Sequence, residues 1–351
     1  MKLSDEIIFE DVERAIDGLD ISSLKNAKFL LLGASGLIGA YFSYLIYYLN
    51  TKRGFHIEAD LYTRRSVARD PRFDIFKGAP GMHFFEHDAS TYTKYEKKYD
   101  FMVHATGYGS PAFFLEDPIK TIDLNYMGMK SILESAVVRS PKARILYLSS
   151  SEIYGSPTEA NFPTPETYPG NSPVTSNRAC YVESKRLTEV LCLNYVKLHN
   201  MAVRIARPAL SYGPGMTFGG GRVISQFMNK AYTDKKIKMV DDGGDLRCFC
   251  YMSDVLRELL YILLHSKDMI YNVGSSAEEI SIMDLAKLIG KLMSVEVIAG
   301  SGKDFAVAAA PSRVKLDLTK LEKESGSRPA VKMFEGMRRT IDWNTALLAK
   351  N

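Results

Sequence analysis

The sequence predicts an α/β fold, a doubly wound parallel sheet with a smaller, interleaved C-terminal lobe. Short apolar runs alternate with long helical patterns between residues 28 and 206, and a glycine-rich turn, Gly33-Ala-Ser-Gly-Leu-Ile-Gly39, joins the first run to the first long helix. Beyond Pro208 the alternation gives way to loop, with Tyr212-Gly-Pro-Gly215 and Gly219-Gly-Gly221. Parallel strands need crossover connections, and helices that serve as crossovers cover both faces of the sheet.

The elements follow in order. Ile7, Ile8, Val12, Ala15, Ile16 and Leu19 recur at helical spacing with acids between them, so residues 4–20 form an amphipathic helix ahead of the main fold. Residues 28–32 are a strand and 37–49 a helix; strands are then expected at 57–63, 82–86 and 101–105, a helix at 119–138, a strand at 144–149, a helix at 180–199 and a strand at 201–206. A helix over 223–233 and a short strand at 237–240 open the small lobe. Residues 247–252, a helix at 254–264 and a strand at 269–273 are expected to return to the sheet, and the tail from Ile280 rejoins the lobe. The implied division is an N-terminal helical extension (1–27), a dinucleotide-binding Rossmann domain (28–206, with 246–273 returning to it) and a substrate-binding lobe (207–245 and 274–351). Residues 161–173, with four prolines and no periodicity, read as an ordered loop near the cleft.

Composition narrows the function. A chain of 351 residues, 46% hydrophobic and 25% charged, has enough apolar material for a sizeable core and is not a disordered or fibrous protein. Its longest nearly apolar stretch, 37–49, is 13 residues, short of the ~20 that a bilayer span requires. The first residues carry Asp5, Glu6, Glu10, Asp11 and Glu13 where a secretory signal is basic and then apolar, so a cytoplasmic protein is expected. Cys180, Cys192, Cys248 and Cys250 have no paired spacing and read as reduced core thiols. A net charge of +4 is too small and dispersed for a nucleic-acid partner.

At the strand-to-helix junction, Gly33, Gly36 and Gly39 permit a tight turn, close approach of a pyrophosphate and close helix packing, with the helix N-terminus facing the phosphates. The tip of the second strand, Thr63-Arg64-Arg65, should read the adenosine ribose. An acid there favours NAD, whereas an arginine accommodates the phosphate of NADP, and Arg64 and Arg65 read equally as a solvated strand end. Asp60 lies inside the strand and Asp88 follows the third, the latter either at the adenine or in a solvent-facing turn. Tyr181 and Lys185, four apart at a helix start, share one face, and a nearby ammonium lowers a phenol's pKa toward working pH. The strand ending Leu148-Ser-Ser-Ser-Glu152 delivers hydroxyls to the carboxyl edge where such sheets bind ligands. His83 and His87 sit in a strand, where their spacing makes no helical metal pair, and no metal is expected; His104 reads as packed beside the cofactor.

Together with Ser149-Ser-Ser-Glu-Ile-Tyr-Gly155 and Tyr181-x-x-x-Lys185, the stretches 104–111, 117–125, 207–215 and 247–254 make the chain similar to the extended short-chain dehydrogenase/reductase superfamily of nucleotide-sugar epimerases, dehydratases and decarboxylases. Asn177-Arg-Ala-Cys-Tyr-Val-Glu-Ser-Lys-Arg186 and Gly221-Arg-Val-Ile-Ser-Gln-Phe227 resemble the UDP-glucuronate decarboxylases most. The resemblance implies Ser150, Glu152, Tyr181 and Lys185 as catalytic residues. It implies that Gly33, Ser35, Gly36, Leu37, Ile38, Gly39, Thr63, Arg64, Asp88, Ala105, Tyr181 and Lys185 hold NAD, with NADP still open, and that Ser110, Pro111, Ser151, Arg222, Arg247 and Arg313 hold a nucleotide sugar, a UDP-sugar by preference. It further implies a homodimer built on the helices 119–138 and 180–199. Ser151 stands where the dehydratases carry aspartate, which argues against dehydration; Gly215 replaces the arginine of the decarboxylases' Gly-Pro-Arg, and the ribose aspartate is missing. The implied activity is decarboxylation of a UDP-uronic acid through a transient 4-ketone. The alternatives are a 4-epimerase or 4,6-dehydratase and, from another class, a catalytically silent nucleotide-binding scaffold. Glu152 and Arg247 would handle the carboxylate, or else form a structural salt bridge.

Overall fold

The computed structural model describes residues 2–275, 279–302, 311–326 and 330–348. After helix α1 (Leu3–Ile16) come β1 (Lys28–Leu32), α2 (Leu37–Arg53), β2 (Glu58–Thr63), β3 (Met82–Glu86) and β4 (Phe101–His104). Helices α3 (Pro111–Glu116) and α4 (Pro118–Arg139) lead to β5 (Arg144–Leu148), α5 (Ala179–His199) and β6 (Ala202–Pro208). The remainder comprises β7 (Leu210–Tyr212), α6 (Val223–Thr233), β8 (Lys236–Lys238), β9 (Leu246–Arg247), β10 (Phe249–Tyr251), α7 (Met252–Leu264) and β11 (Ile270–Val273). β12 (Ile280–Ser281), α8 (Ile282–Met293), β13 (Glu296–Ile298), β14 (Arg313–Val314), α9 (Thr319–Ser325) and α10 (Met333–Leu348) complete it.

Seven parallel strands form the main sheet in the order β11-β6-β5-β4-β1-β2-β3. The order reverses between β1 and β4, and there the carboxyl ends of neighbouring strands open a crevice. β1 is buried at every position after Lys28 because helices cover both its faces. Leu31, Phe42 and Leu256 belong to the core on one face, Leu30, Met129 and Ile132 to that on the other. A third core, with Ile224, Phe227, Met228 and Leu285, lies between α6 and α8. Helix α2 ends on Gly54 in the left-handed conformation (φ 62°), and α4 begins with Pro118 behind Asp117, whose side chain accepts from Lys120 N.

The residues 247–252, expected to return to the sheet, pair elsewhere. β10 joins β7, β9 joins β12 and β14, and the return is made by α7 and β11. The expected N-terminal helix is α1, and its Asp11 is a buried junction. That carboxylate accepts from Tyr41 Oη of α2 (2.8 Å), Tyr251 Oη of β10 (2.8 Å) and Arg339 Nη2 of α10 (2.8 Å). Burial pushes Asp11 up to about 6, against the pull of Arg339 and the two hydroxyls.

Candidate active site

Backbone approach explains the glycine turn. A Cβ on Gly33 (φ +86°) would sit 2.5 Å from Ala105 O at the end of β4, and one on Gly39 would lie 2.1 Å from Gly33 O. Gly36 is different: a Cβ there meets nothing nearer than Gly33 O at 3.3 Å, and as the N-cap of α2 it brings no side chain to the helix start. Ser35, Leu37 and Ile38 belong to the same turn and first helical residues. The orphan amides of such an N-terminus suit a phosphate, so the turn fits the pyrophosphate of a dinucleotide.

At the tip of β2, Thr63 Oγ1 donates to Arg65 O (2.9 Å) and Arg64 Nη1 donates to Tyr108 Oη (2.8 Å). Asp60 faces away from any ribose role, because Tyr99 Oη (2.6 Å) and Lys97 Nζ (2.9 Å) donate to it. Asp88 is clasped by Lys120 Nζ (2.7 Å) and by the Ser90 hydroxyl and amide; these bonds outweigh the opposing effect of partial burial and hold its carboxyl at about 2. With no acid at the tip, weak discrimination between NAD and NADP is expected, and Arg64→Ala should shift it further toward NAD. Titrating both dinucleotides into wild type and variant measures this.

The strand β5 and the start of α5 bring the chemistry-bearing residues together. Ser150, Tyr181 and Lys185 are clustered: Ser150 is near enough to the Tyr181 phenol to lower it, and Lys185 Nζ lies 5.7 Å from the Tyr181 ring centre and donates to Leu148 O at 2.7 Å. Ser150 Oγ also accepts from Glu152 N (3.2 Å). The phenol is not lowered as the Tyr181–Lys185 spacing predicts. Burial raises it above 10, with Glu152 adding to the rise and Ser150, Arg222 and Arg178 opposing it. Burial also depresses Lys185 to about 7, so its charge is weaker than that of an exposed ammonium. His104 is fully buried, held neutral well into the acid range at about 3, and its Nε2 lies 2.8 Å from Thr106 Oγ1.

The remaining predicted residues fall in three places. Ser110 Oγ donates to Gly221 O (3.0 Å) ahead of Pro111, the first residue of α3, and Arg222 donates to Gly109 O and Ser211 O while contributing to the field at Tyr181. The bonds Ser110–Gly221 and Arg222–Gly109 tie the loop ahead of α6 to the loop that follows β4. Ser151, Glu152 and Arg313 line one small cavity with Phe162, and Arg313 is paired with Glu279 and Glu159. Arg247 is engaged elsewhere: its donors reach Asp245 Oδ2 (2.8 Å) and the carbonyls of Leu246 and Ser312.

Arg178 is the residue that reading the sequence passed over. Its Nε and Nη2 donate to Glu152 at 2.7–3.1 Å, so the guanidinium beside Glu152 is Arg178 and not Arg247. Its face lies 5.2 Å above the centre of the Phe114 ring, which is itself stacked on Tyr181 (5.0 Å, 14°). The available signal was position, three residues before Tyr181 at the entrance to the same helix.

Known proteins resemble this chain in sequence and in fold. The model of the NAD-dependent epimerase/dehydratase family matches residues 29–274. UDP-glucuronic acid decarboxylase 5 of Arabidopsis thaliana is 30% identical over 327 residues, covering 90% of this chain and 91% of its own length. UDP-glucuronic acid decarboxylase 1 of Xenopus tropicalis is 32% identical over 248 residues, 70% of this chain and 56% of its own. Among solved structures, the UDP-glucose 4-epimerase of Thermotoga maritima with UDP-glucose matches with a TM-score of 0.75 at 19% identity, over 92% of this chain and 99% of that one. MoeE5 in complex with UDP-glucuronic acid and NAD matches with 0.72 at 18%, over 91% and 99%. The likeness to these structures shows the fold; with the family match across the glycine turn, the β5 serines and the Tyr181–Lys185 pair, it establishes that the chain belongs to the NAD-dependent epimerase/dehydratase family.

Proposed function

We propose that the protein decarboxylates a UDP-uronic acid, of the kind that converts UDP-glucuronate to UDP-xylose. The observation that carries this is the placement of Glu152, two residues from Ser150 and paired with Arg178 beside Tyr181. Hydroxyl and phenol suffice for moving a proton at a sugar alcohol; a carboxylate and guanidinium beside them answer a need that a plain 4-epimerase does not have. The named relatives support the same reading.

The glycine turn Gly33–Gly39 would hold NAD, which would supply reversible oxidation at the sugar's carbon 4 and so a ketone β to the carboxylate on carbon 5. Tyr181 takes the proton of the 4-hydroxyl and later returns it, and Ser150 donates to the oxygen as it becomes a carbonyl. In the ketone the bond from carbon 5 to the carboxylate breaks, its electron pair flows into the enolate, carbon dioxide leaves, and carbon 5 takes up one proton. Glu152 is the residue to which assistance in that proton uptake, or orientation of the sugar, is assigned. Glu152→Gln is expected to cut carbon dioxide release at least tenfold while changing nucleotide affinity little, since it acts on the transition state and not on uniform binding. Release at the wild-type rate from this variant would contradict its role.

The same reading includes a dimer. Ile119 and Val138 of α4 and Leu187, Val190, Leu193 and Leu198 of α5 are exposed, several of them more than half, and α4 packs on α5 within the chain. Two such pairs close into a four-helix bundle that buries these side chains. Sedimentation at micromolar concentration is expected to give twice the mass of the chain; a monomer would refute the bundle. No helix among the described residues is long and apolar enough to cross a membrane, and the proposed place of work is the cytoplasm.

A further inference from the structure

Lys185 is buried, and among the described residues the hydrogen-bond acceptor its Nζ meets is Leu148 O at 2.7 Å. The carboxylate one turn further along α5, Glu189, is already engaged: Arg207 grips it with Nε at 3.0 Å and Nη2 at 2.6 Å. His104 on β4 is held neutral and brings no charge of either sign. What faces the ammonium is aromatic. Nζ lies 5.1 Å from the centre of the Tyr147 ring on β5, and Tyr181 stands at 5.7 Å. The Tyr147 side chain is fully buried, with the His104 ring 5.5 Å away at a tilt of 54°, so packing fixes the face it presents.

We propose that Tyr147 is a positioning residue, whose ring face keeps the Lys185 ammonium charged and in place beside the Tyr181 phenol; this rests on the roles given to Tyr181 and Lys185 above. The negative face of an aromatic ring attracts a cation most strongly where water is shut out, which is where burial otherwise disfavours the ammonium. Burial leaves Lys185 at about 7, so that near neutrality its charged and neutral forms are closely balanced. A modest attraction then decides which form stands beside the phenol. A carboxylate in the place of the ring would also hold the ammonium, but its own negative charge would oppose the loss of the Tyr181 proton. The Tyr147 ring carries no net charge, so the phenol meets the field of the ammonium without a competing anion.

The test is an NMR titration of the substrate-free protein, isotopically labelled at lysine Cε, with the Lys185 resonance identified as the one missing from Lys185→Met. Tyr147→Phe keeps the ring, and its Lys185 is expected to titrate where that of wild type does, at about 7. A ring-trifluorinated phenylalanine at position 147 keeps the shape but withdraws electron density from the face, and Lys185 is expected to titrate about one pH unit lower. Near neutral pH that drop corresponds to about a fivefold loss of the ammonium. Carbon dioxide release from UDP-glucuronate is expected to fall about as far in the fluorinated protein and to be kept in Tyr147→Phe. Lys185 titrating alike in the phenylalanine and fluorinated proteins overturns the proposal, and so does a Tyr147→Phe protein that drops as far as the fluorinated one. A fluorinated protein that titrates lower yet turns over at the wild-type rate removes the positioning role. The titration needs no substrate, so it judges the Tyr147–Lys185 contact even where wild type releases no carbon dioxide and the uronate reading itself fails.

Discussion

Tyr181→Phe is expected to lower turnover by about 10²–10⁴-fold, the usual worth of a positioned general base, while leaving the fold and dinucleotide affinity in place. The ring itself is structural, stacked on Phe114 at 5.0 Å, and phenylalanine keeps that contact. The loss falls on the hydroxyl, the group proposed to move the proton of the sugar's alcohol. Because burial holds the phenol above 10, few molecules carry the phenolate at neutral pH, and the wild-type rate is expected to climb as pH rises above 7 until another group intervenes. Rates measured against pH for both proteins check this: the climb belongs to wild type, and near-wild-type turnover in the variant would remove Tyr181 from the mechanism.

Gly36→Val is expected to abolish dinucleotide binding, with at least a hundredfold loss of affinity, in a protein that still folds. The three glycines of the turn are not equivalent in this respect. A side chain on Gly33 or Gly39 runs into backbone and breaks the turn itself, whereas Gly36 has φ −69° and its Cβ would press on Gly33 O alone, at 3.3 Å, a tight contact that a shift of a few tenths of an ångström relieves. The valine methyls then occupy the approach to the N-terminus of α2, where the pyrophosphate docks. Circular dichroism and thermal melting report the fold, and titration with NAD reports the site. Unchanged affinity in the folded variant would take the turn out of the cofactor site.

Much of this architecture was legible because it is written in long periodic elements. β1, α2, β3 and α5 fall within a few residues of where apolar spacing places them, and Gly33 to Gly39 sits at the strand-to-helix junction that gives the spacing its meaning. The pairing of β9 and β10 was not legible: they are two and three residues long, and periodicity has no purchase on so short a strand. In the site, Tyr181 and Lys185 announce themselves by helical spacing, but the direction of the phenol's shift depends on burial from elements distant in the chain. Arg247 and Arg178 show the same limit. Ser312 engages Arg247 across 65 residues and Glu152 engages Arg178 across 26, so which arginine stands beside Glu152 is decided only on folding.

The central claim is that Ser150, Tyr181, Lys185 and the Glu152–Arg178 pair together decarboxylate a UDP-uronic acid. Mass spectrometry of the nucleotide sugar after incubation of the NAD-loaded protein with UDP-glucuronate tests it most directly. A product lighter by the full mass of carbon dioxide is predicted, the proton taken up at carbon 5 replacing the acid proton of the uronate, with no net accumulation of NADH. A product of unchanged mass, with its 4-hydroxyl inverted, would contradict it and make the protein an epimerase.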